Sequence, residues 1–146
     1  MQVVKAGANE ISALYVMLKE MHSNTEINLA PIDEYKLINK INEVVHKGLV
    51  LVSIKDNMIT GSIGGMTTTD WWSNQPYLSD VWFYVTPSQR KTDSAVSLIK
   101  AFIKVAKDAK LKVRLGHIYS GDLDRKDKFY ERLGLVKAGS TYVEKE

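Results

Sequence analysis

Residues 81–102, VWFYVTPSQRKTDSAVSLIKAF, hold the densest concentration of side chains suited to chemistry. A strand-forming run ends at Pro87, a short polar turn carries Arg90 and Lys91, and an amphipathic helix opens near Thr92. The first N–H groups of a helix have no intrahelical partner and the helix dipole favours negative charge there. Such a turn can therefore lodge a phosphate or pyrophosphate, aided by Arg90 and Lys91. Thr92, Asp93 and Ser94 suit a helix N-terminus, and the Asp93 carboxylate, which would repel phosphate, is expected to turn away and cap backbone amides. Without that setting, Arg90 and Lys91 would be ordinary solvated charges.

Other chemistries find less material. The chain has no cysteine, which excludes a disulfide framework, a thiolate zinc site and a Cys-based acyl-enzyme. His22 and His46 fall on different expected helices without paired ligand spacing, so no metal is expected. The glycines of SIGG (62–65) read as a bulge or a close backbone approach rather than a phosphate loop. Trp71 and Trp72, between Asp70 and Asn74, fit either core anchors or a loop shaping a pocket.

These residues need elements to position them. Gln2 to Lys5 reads as a first strand, and Asn9 as the N-cap of a helix with Ile11, Leu14, Tyr15, Leu18 and Met21 on one face. A second helix is expected from Pro31, turning Leu37, Ile38, Ile41, Val44 and Val45 inward and stopping at Gly48. Leu49 to Ile54 and Met58 to Met66 form a hairpin about Asp56-Asn57, and Leu78 to Val85 the next strand. A crossover helix from Thr92 leads to a strand at Val113 to Ile118, a short helix at Asp124 to Leu133 closed by Gly134, and terminal strand material at Leu135 to Val143. The result is one α/β domain over residues 1–146, a mixed, mostly antiparallel twisted sheet flanked by helices.

Val85, Pro87, Arg90 and Ala95 stand where the GNAT (GCN5-related N-acetyltransferase) superfamily has its acetyl-CoA motif, a strand ending in Val-x-Pro followed by Arg and a glycine-rich helix opening. Asp93 occupies the position of the central glycine. Tyr130, Glu131, Leu133 and Gly134 resemble the family's late helix, with Leu135 in place of phenylalanine and Asp122 or Asp124 near the usual asparagine. With the turn and glycine of Asp56 to Gly61, the resemblance runs from about Val50 onward.

The resemblance implies the acyl-CoA N-acyltransferase fold and acetyl-CoA as co-substrate, without a metal. Phe83, Tyr84 and Val85 would pair with the pantetheine arm, and Arg90, Lys91, Thr92, Asp93, Ser94 and Ala95 would cradle the pyrophosphate. Tyr130 would protonate the departing thiolate, or else merely pack its ring. Asp80, His117 and a water relay remain open as the base that takes the amine's proton; Asp80 could equally be a strand-end cap.

The 20 basic and 17 acidic residues among 146 are interspersed, and the net charge of +3 is mild, so no nucleic-acid module is expected. The lack of a leader-like start and of a long apolar run points to a cytoplasmic protein without a membrane partner. The expected partner is a small-molecule or peptide amine, and an exposed strand edge could support a homodimer. Two functions stand side by side: acetyl transfer to a primary amine by direct attack, and non-catalytic binding of CoA or another anion by a protein of the same fold.

Overall fold

A computed structural model describes residues 1–25, 29–116 and 122–145. The chain runs β1 (Gln2–Lys5), α1 (Ile11–Ser23), α2 (Glu34–Lys47), β2 (Leu49–Lys55), β3 (Met58–Thr69), β4 (Pro76–Val85), α3 (Ser94–Asp108), β5 (Lys112–Arg114) and α4 (Leu123–Arg132). Its five-stranded sheet keeps the sequence order β1-β2-β3-β4-β5. Every pairing is antiparallel except β4–β5, which the α3 crossover makes parallel. The expected fold class is the observed one.

Helices cover both faces. Leu14 and Leu18 of α1 and Ile41 and Val44 of α2 bury with Val50 and Val52 of β2 on one face. Leu98, Ile99 and Phe102 of α3 bury with Leu51, Ile63 and Leu78 on the other. That two-sided burial explains the almost continuous apolar run of β2. Each fully buried side chain of this size contributes about 1.5–3 kcal/mol relative to exposure.

Helix starts differ from expectation where a better cap lies nearby. Asn9 sits within a 3-10 turn, Ala8–Glu10, that precedes α1. α2 begins at Glu34 rather than Pro31 because the Asp33 carboxylate accepts the Lys36 N–H at 2.9 Å. The Asp122 carboxylate caps α4 in the same way through the Arg125 N–H at 3.1 Å. The terminal strand is corrected: 135–143 forms no strand, and Val136, Tyr142 and Val143 are exposed. Strand-forming residues make no strand without an edge whose N–H and C=O groups they can pair with.

The decisive irregularity lies between β3 and β4. Gly64 pairs with Trp82 but Gly65 pairs with Asp80, so Val81 is an extra, bulged residue. Leu78 and Phe83 can therefore both face the α3 side, which strict alternation forbids for residues five apart. A Cβ on Gly65 would come 2.6 Å from Phe102 of α3, whereas one on Gly64 would come 2.5 Å from the Trp82 ring on the opposite face. Trp82 is buried there, its Nε1 donating to Ser62 Oγ at 3.0 Å. The SIGG glycines thus serve a bulge and a close approach, as their spacing suggested. Gly64→Ala should destabilise the protein by about 1–3 kcal/mol through overpacking against Trp82. Chemical denaturation checks this, and a change within about 0.5 kcal/mol would contradict the packing argument.

Candidate functional site

β4 and β5 stay paired only from Tyr77↔Lys112 to Ser79↔Arg114. At the next residue a side chain replaces the ladder: Asp80 Oδ1 accepts the Gly116 N–H at 3.1 Å. Beyond that point the outer edge of β4, from Asp80 to Val85, has no strand partner among the described residues. Its backbone can pair with an extended ligand that carries amides of its own.

Asp80 faces the α3 side, as its cross-strand partner Gly65 does. α4 packs on the same side, where Phe129 stacks on Phe83 with ring centroids 6.5 Å apart and planes 13° from parallel. Tyr130 follows, its ring 5.4 Å from Phe129. Burial pushes the Asp80 carboxyl up to about 6 despite the opposing Gly116 N–H. Burial and the Asp80 charge together raise Tyr130 well above the ordinary phenol value. The fold thus brings the two expected catalytic residues within electrostatic reach of each other.

At the Val85 end the edge runs into the expected anion site. Arg90 Nε donates to the Val85 carbonyl at 3.0 Å, and the guanidinium carbon lies 5.4 Å from the centroid of the Tyr84 ring. The Tyr84 hydroxyl accepts from Asn24 Nδ2 of the α1 terminus at 3.1 Å. The Thr92 hydroxyl donates to the Gln89 carbonyl at 2.6 Å and accepts the Ser94 N–H at 3.3 Å. Ser97 N–H is bonded to Asp93 O, which leaves the N–H groups of Ala95 and Val96 without a partner among the described residues.

Two expectations for this turn need correction. The Asp93 carboxylate makes no cap hydrogen bond, because its backbone (φ −78°, ψ 1°) lacks the extended geometry that aims a cap side chain at the helix. Thr92 supplies that bond instead, and Asp93 and Lys91 stand exposed. The Ser94 side chain points inward, its hydroxyl 3.2 Å from Thr60 Oγ1, which in turn lies 2.8 Å from Ser53 Oγ. Ser94 anchors α3 to the sheet, so its hydroxyl is turned away from any phosphate at this turn.

On the other face, a pocket of about 170 Å³ opens beside the bulged Val81, between α1 and α2, with Leu18, Met21, His22 and Lys40 in its lining. His117 lies outside the described residues. Among those described, no group of three or more His, Asp or Glu could hold a metal, and no helix is long and apolar enough to cross a membrane. Trp71 and Trp72 are no core anchors, for both are exposed on the β3–β4 loop. Residue types alone did not disclose Phe129, whose ring packs on Tyr130, or Gly116, which holds Asp80; Gly116 fell inside the strand expected at Val113 to Ile118, which ends at Arg114, and the aromatic beside Tyr130 was the available signal.

The buried carboxyl has a thermodynamic consequence. Because its folded value lies near 6, above the usual 3.8, the native state holds a proton that the unfolded chain has lost between those values. Stability from this group is fully present below about pH 3.8 and is lost as pH rises through about 6, reaching a cost of about 3 kcal/mol. Asp80→Asn keeps the acceptor for Gly116 and should raise the melting temperature at pH 8, with the gain vanishing towards pH 4. A gain independent of pH, as followed by thermal denaturation, would contradict the buried charge.

No protein-family profile and no curated protein matches the sequence. Solved structures do match in shape. A predicted acetyltransferase with acetyl-CoA from Clostridium acetobutylicum superposes with a TM-score of 0.76 at 16% identity, over 99% of this chain and 95% of that one. Ribosomal-protein-alanine N-acetyltransferase from Brucella melitensis biovar Abortus gives 0.70 at 14% identity over the whole of both chains. An aminoglycoside antibiotic 6′-N-acetyltransferase from Acinetobacter haemolyticus gives 0.73 at 15% identity, over 100% of this chain and 99% of that one. Parallel β4–β5 joined by α3, within an otherwise antiparallel sheet, thus gives the chain the acyl-CoA N-acyltransferase fold of the GNAT acetyltransferases.

Proposed function

We propose that the protein transfers an acetyl group from acetyl-CoA to a primary amine by direct attack. The observation that carries this reading is the parting of β4 from β5 at Asp80, beside Tyr130, along an edge that leads to the start of α3. The pantetheine arm would pair with the open edge from Asp80 to Val85. Its pyrophosphate would meet the N–H groups of Ala95 and Val96, with Arg90 and Lys91 adding positive charge. The acceptor would enter through the pocket beside Val81. Neighbours of this fold that bear the names of aminoglycoside and protein-alanine acetyltransferases support an amine acceptor.

The chemistry follows from the coupling of the two side chains. The amine nitrogen attacks the thioester carbonyl carbon; Asp80, ionised above about pH 6, takes the amine's proton directly or through water. The C–S bond then breaks and the thiolate leaves. Before that moment Tyr130 is securely protonated, because burial and the Asp80 charge both oppose the phenolate. Once Asp80 is neutral, the part of that opposition due to its charge disappears, so proton uptake by the base makes the acid stronger. Tyr130 gives its proton to the thiolate, and Asp80 restores it through solvent. A protein that only bound CoA would have no need of this buried pair, which favours catalysis over the non-catalytic alternative.

Incubation with acetyl-CoA and a panel of amines, read by thiol release and by mass spectrometry of the acetylated product, tests the proposal. No transfer to amino-acid, peptide, polyamine or aminoglycoside acceptors despite acetyl-CoA binding would favour the non-catalytic reading. With an active acceptor, Tyr130→Phe should keep acetyl-CoA affinity and lower turnover by about 10²-fold or more. In the wild type kcat/KM should climb as pH rises through about 6, and Asp80→Asn should remove that limb along with most of the rate. Wild-type turnover by the Phe variant, under conditions where chemistry limits, would reduce Tyr130 to a packing residue.

A further inference from the structure

The loop at the Pro76 end of β4, away from the Val85 end, carries Trp71, 92% exposed, and Trp72, 66% exposed. Large indoles are normally buried in a core or an interface. This loop is nevertheless firmly built. Arg114 donates to both Asp70 carboxylate oxygens at 2.7 Å, and its guanidinium carbon lies 3.8 Å from the centroid of the Tyr77 ring. Ser73 N–H donates to Asp70 O at 3.2 Å and Gln75 N–H to Ser73 Oγ at 3.1 Å. Through Gln75 and Pro76 the loop borders a groove of about 460 Å³ lined by Lys107, Lys110 and Lys112 with apolar Ile103 and Leu111. The neighbouring carboxylates are already engaged, Asp70 by Arg114 and Asp108 by Lys104 at 3.1 Å.

We propose that this end of the molecule docks on an anionic membrane surface, with Trp71 and Trp72 at headgroup level and the three lysines against lipid phosphates. An indole has an apolar body and a polar N–H, the combination that settles at a membrane–water interface. The groove lysines, bordered by Gln75 and Pro76 of the same loop, add attraction to anionic lipid. A second copy of the chain fits less well, because a two-fold contact through this patch would set lysines against lysines. Single-stranded nucleic acid also fits less well: the two rings meet edge to face at 87°, which denies successive bases a pair of parallel stacking platforms. No membrane partner was expected from the sequence because it lacks a spanning stretch; contact through a loop needs none.

Tryptophan emission reads the proposal directly, since the third indole, Trp82, is 5% exposed and reports only the fold. Phosphatidylcholine vesicles with added phosphatidylserine should co-sediment the protein and shift its emission to the blue. Vesicles of phosphatidylcholine alone should do neither, and added salt should weaken the effect. Replacing Lys107, Lys110 and Lys112 by Gln should lower partitioning by about a hundredfold. Trp71→Ala/Trp72→Ala should lower it at least tenfold while the melting temperature is unchanged. The proposal is overturned by an unchanged spectrum of folded protein with anionic vesicles at low salt, or by a Trp double variant that binds them as the wild type does. It is equally overturned if the shift appears only with a single-stranded oligonucleotide, or only as a concentration-dependent rise in molecular mass.

Discussion

Between Gly64–Gly65 and Asp80–Trp82 the ladder of β3 and β4 takes in one extra residue, and the rest of the candidate site is arranged around that bulge. It turns Trp82 into the core beneath α1 and α2, where an absent Cβ at Gly64 makes room for the ring. It keeps Asp80 on the α3 side, where the carboxylate takes the Gly116 N–H and ends the parallel pairing with β5. Val81, left outside the alternation, lines the pocket on the opposite face. One inserted residue thus places a carboxylate on one face of an open edge and a pocket on the other.

That arrangement works against stability. Asp80 lies where burial disfavours its charge, and the β4 edge leaves backbone groups without sheet partners among the described residues. The compensation comes from around the site. Phe83 and Phe129 stack to fix α4 on the edge, and the Ser53, Thr60 and Ser94 hydroxyls fasten the start of α3 to β2 and β3. A site held by packed rings and satisfied hydroxyls can keep one costly carboxyl poised.

Much of this was legible in the residues. The apolar periods of α1, α2 and α3 locate the core, and the SIGG glycines mark the bulge before any partner strand is known. Pro87 with the polar turn after it marks the end of β4 and the approach to α3. Four features were not legible, three of them because each depends on a distant partner. The inward Ser94 hydroxyl needs Thr60, 34 residues away in sequence. Gly116 meets Asp80 across 36 residues. Leu135 to Val143 was expected as terminal strand material, but pairing is decided by a free edge and not by residue types. The Asp93 carboxylate failed as a cap through a local backbone angle that residue type does not dictate.

On the proposed reading, the edge of β4 and the first turn of α3 receive one ligand between them. Backbone amide spectra of 15N-labelled protein, recorded during titration with acetyl-CoA, address it residue by residue. Amides from Asp80 to Val85, together with Ala95 and Val96, are expected to shift and become protected from hydrogen exchange, while those of β1 stay unchanged. Saturating acetyl-CoA that leaves Asp80 to Val85 undisturbed, or that perturbs only residues remote from this edge, would contradict it.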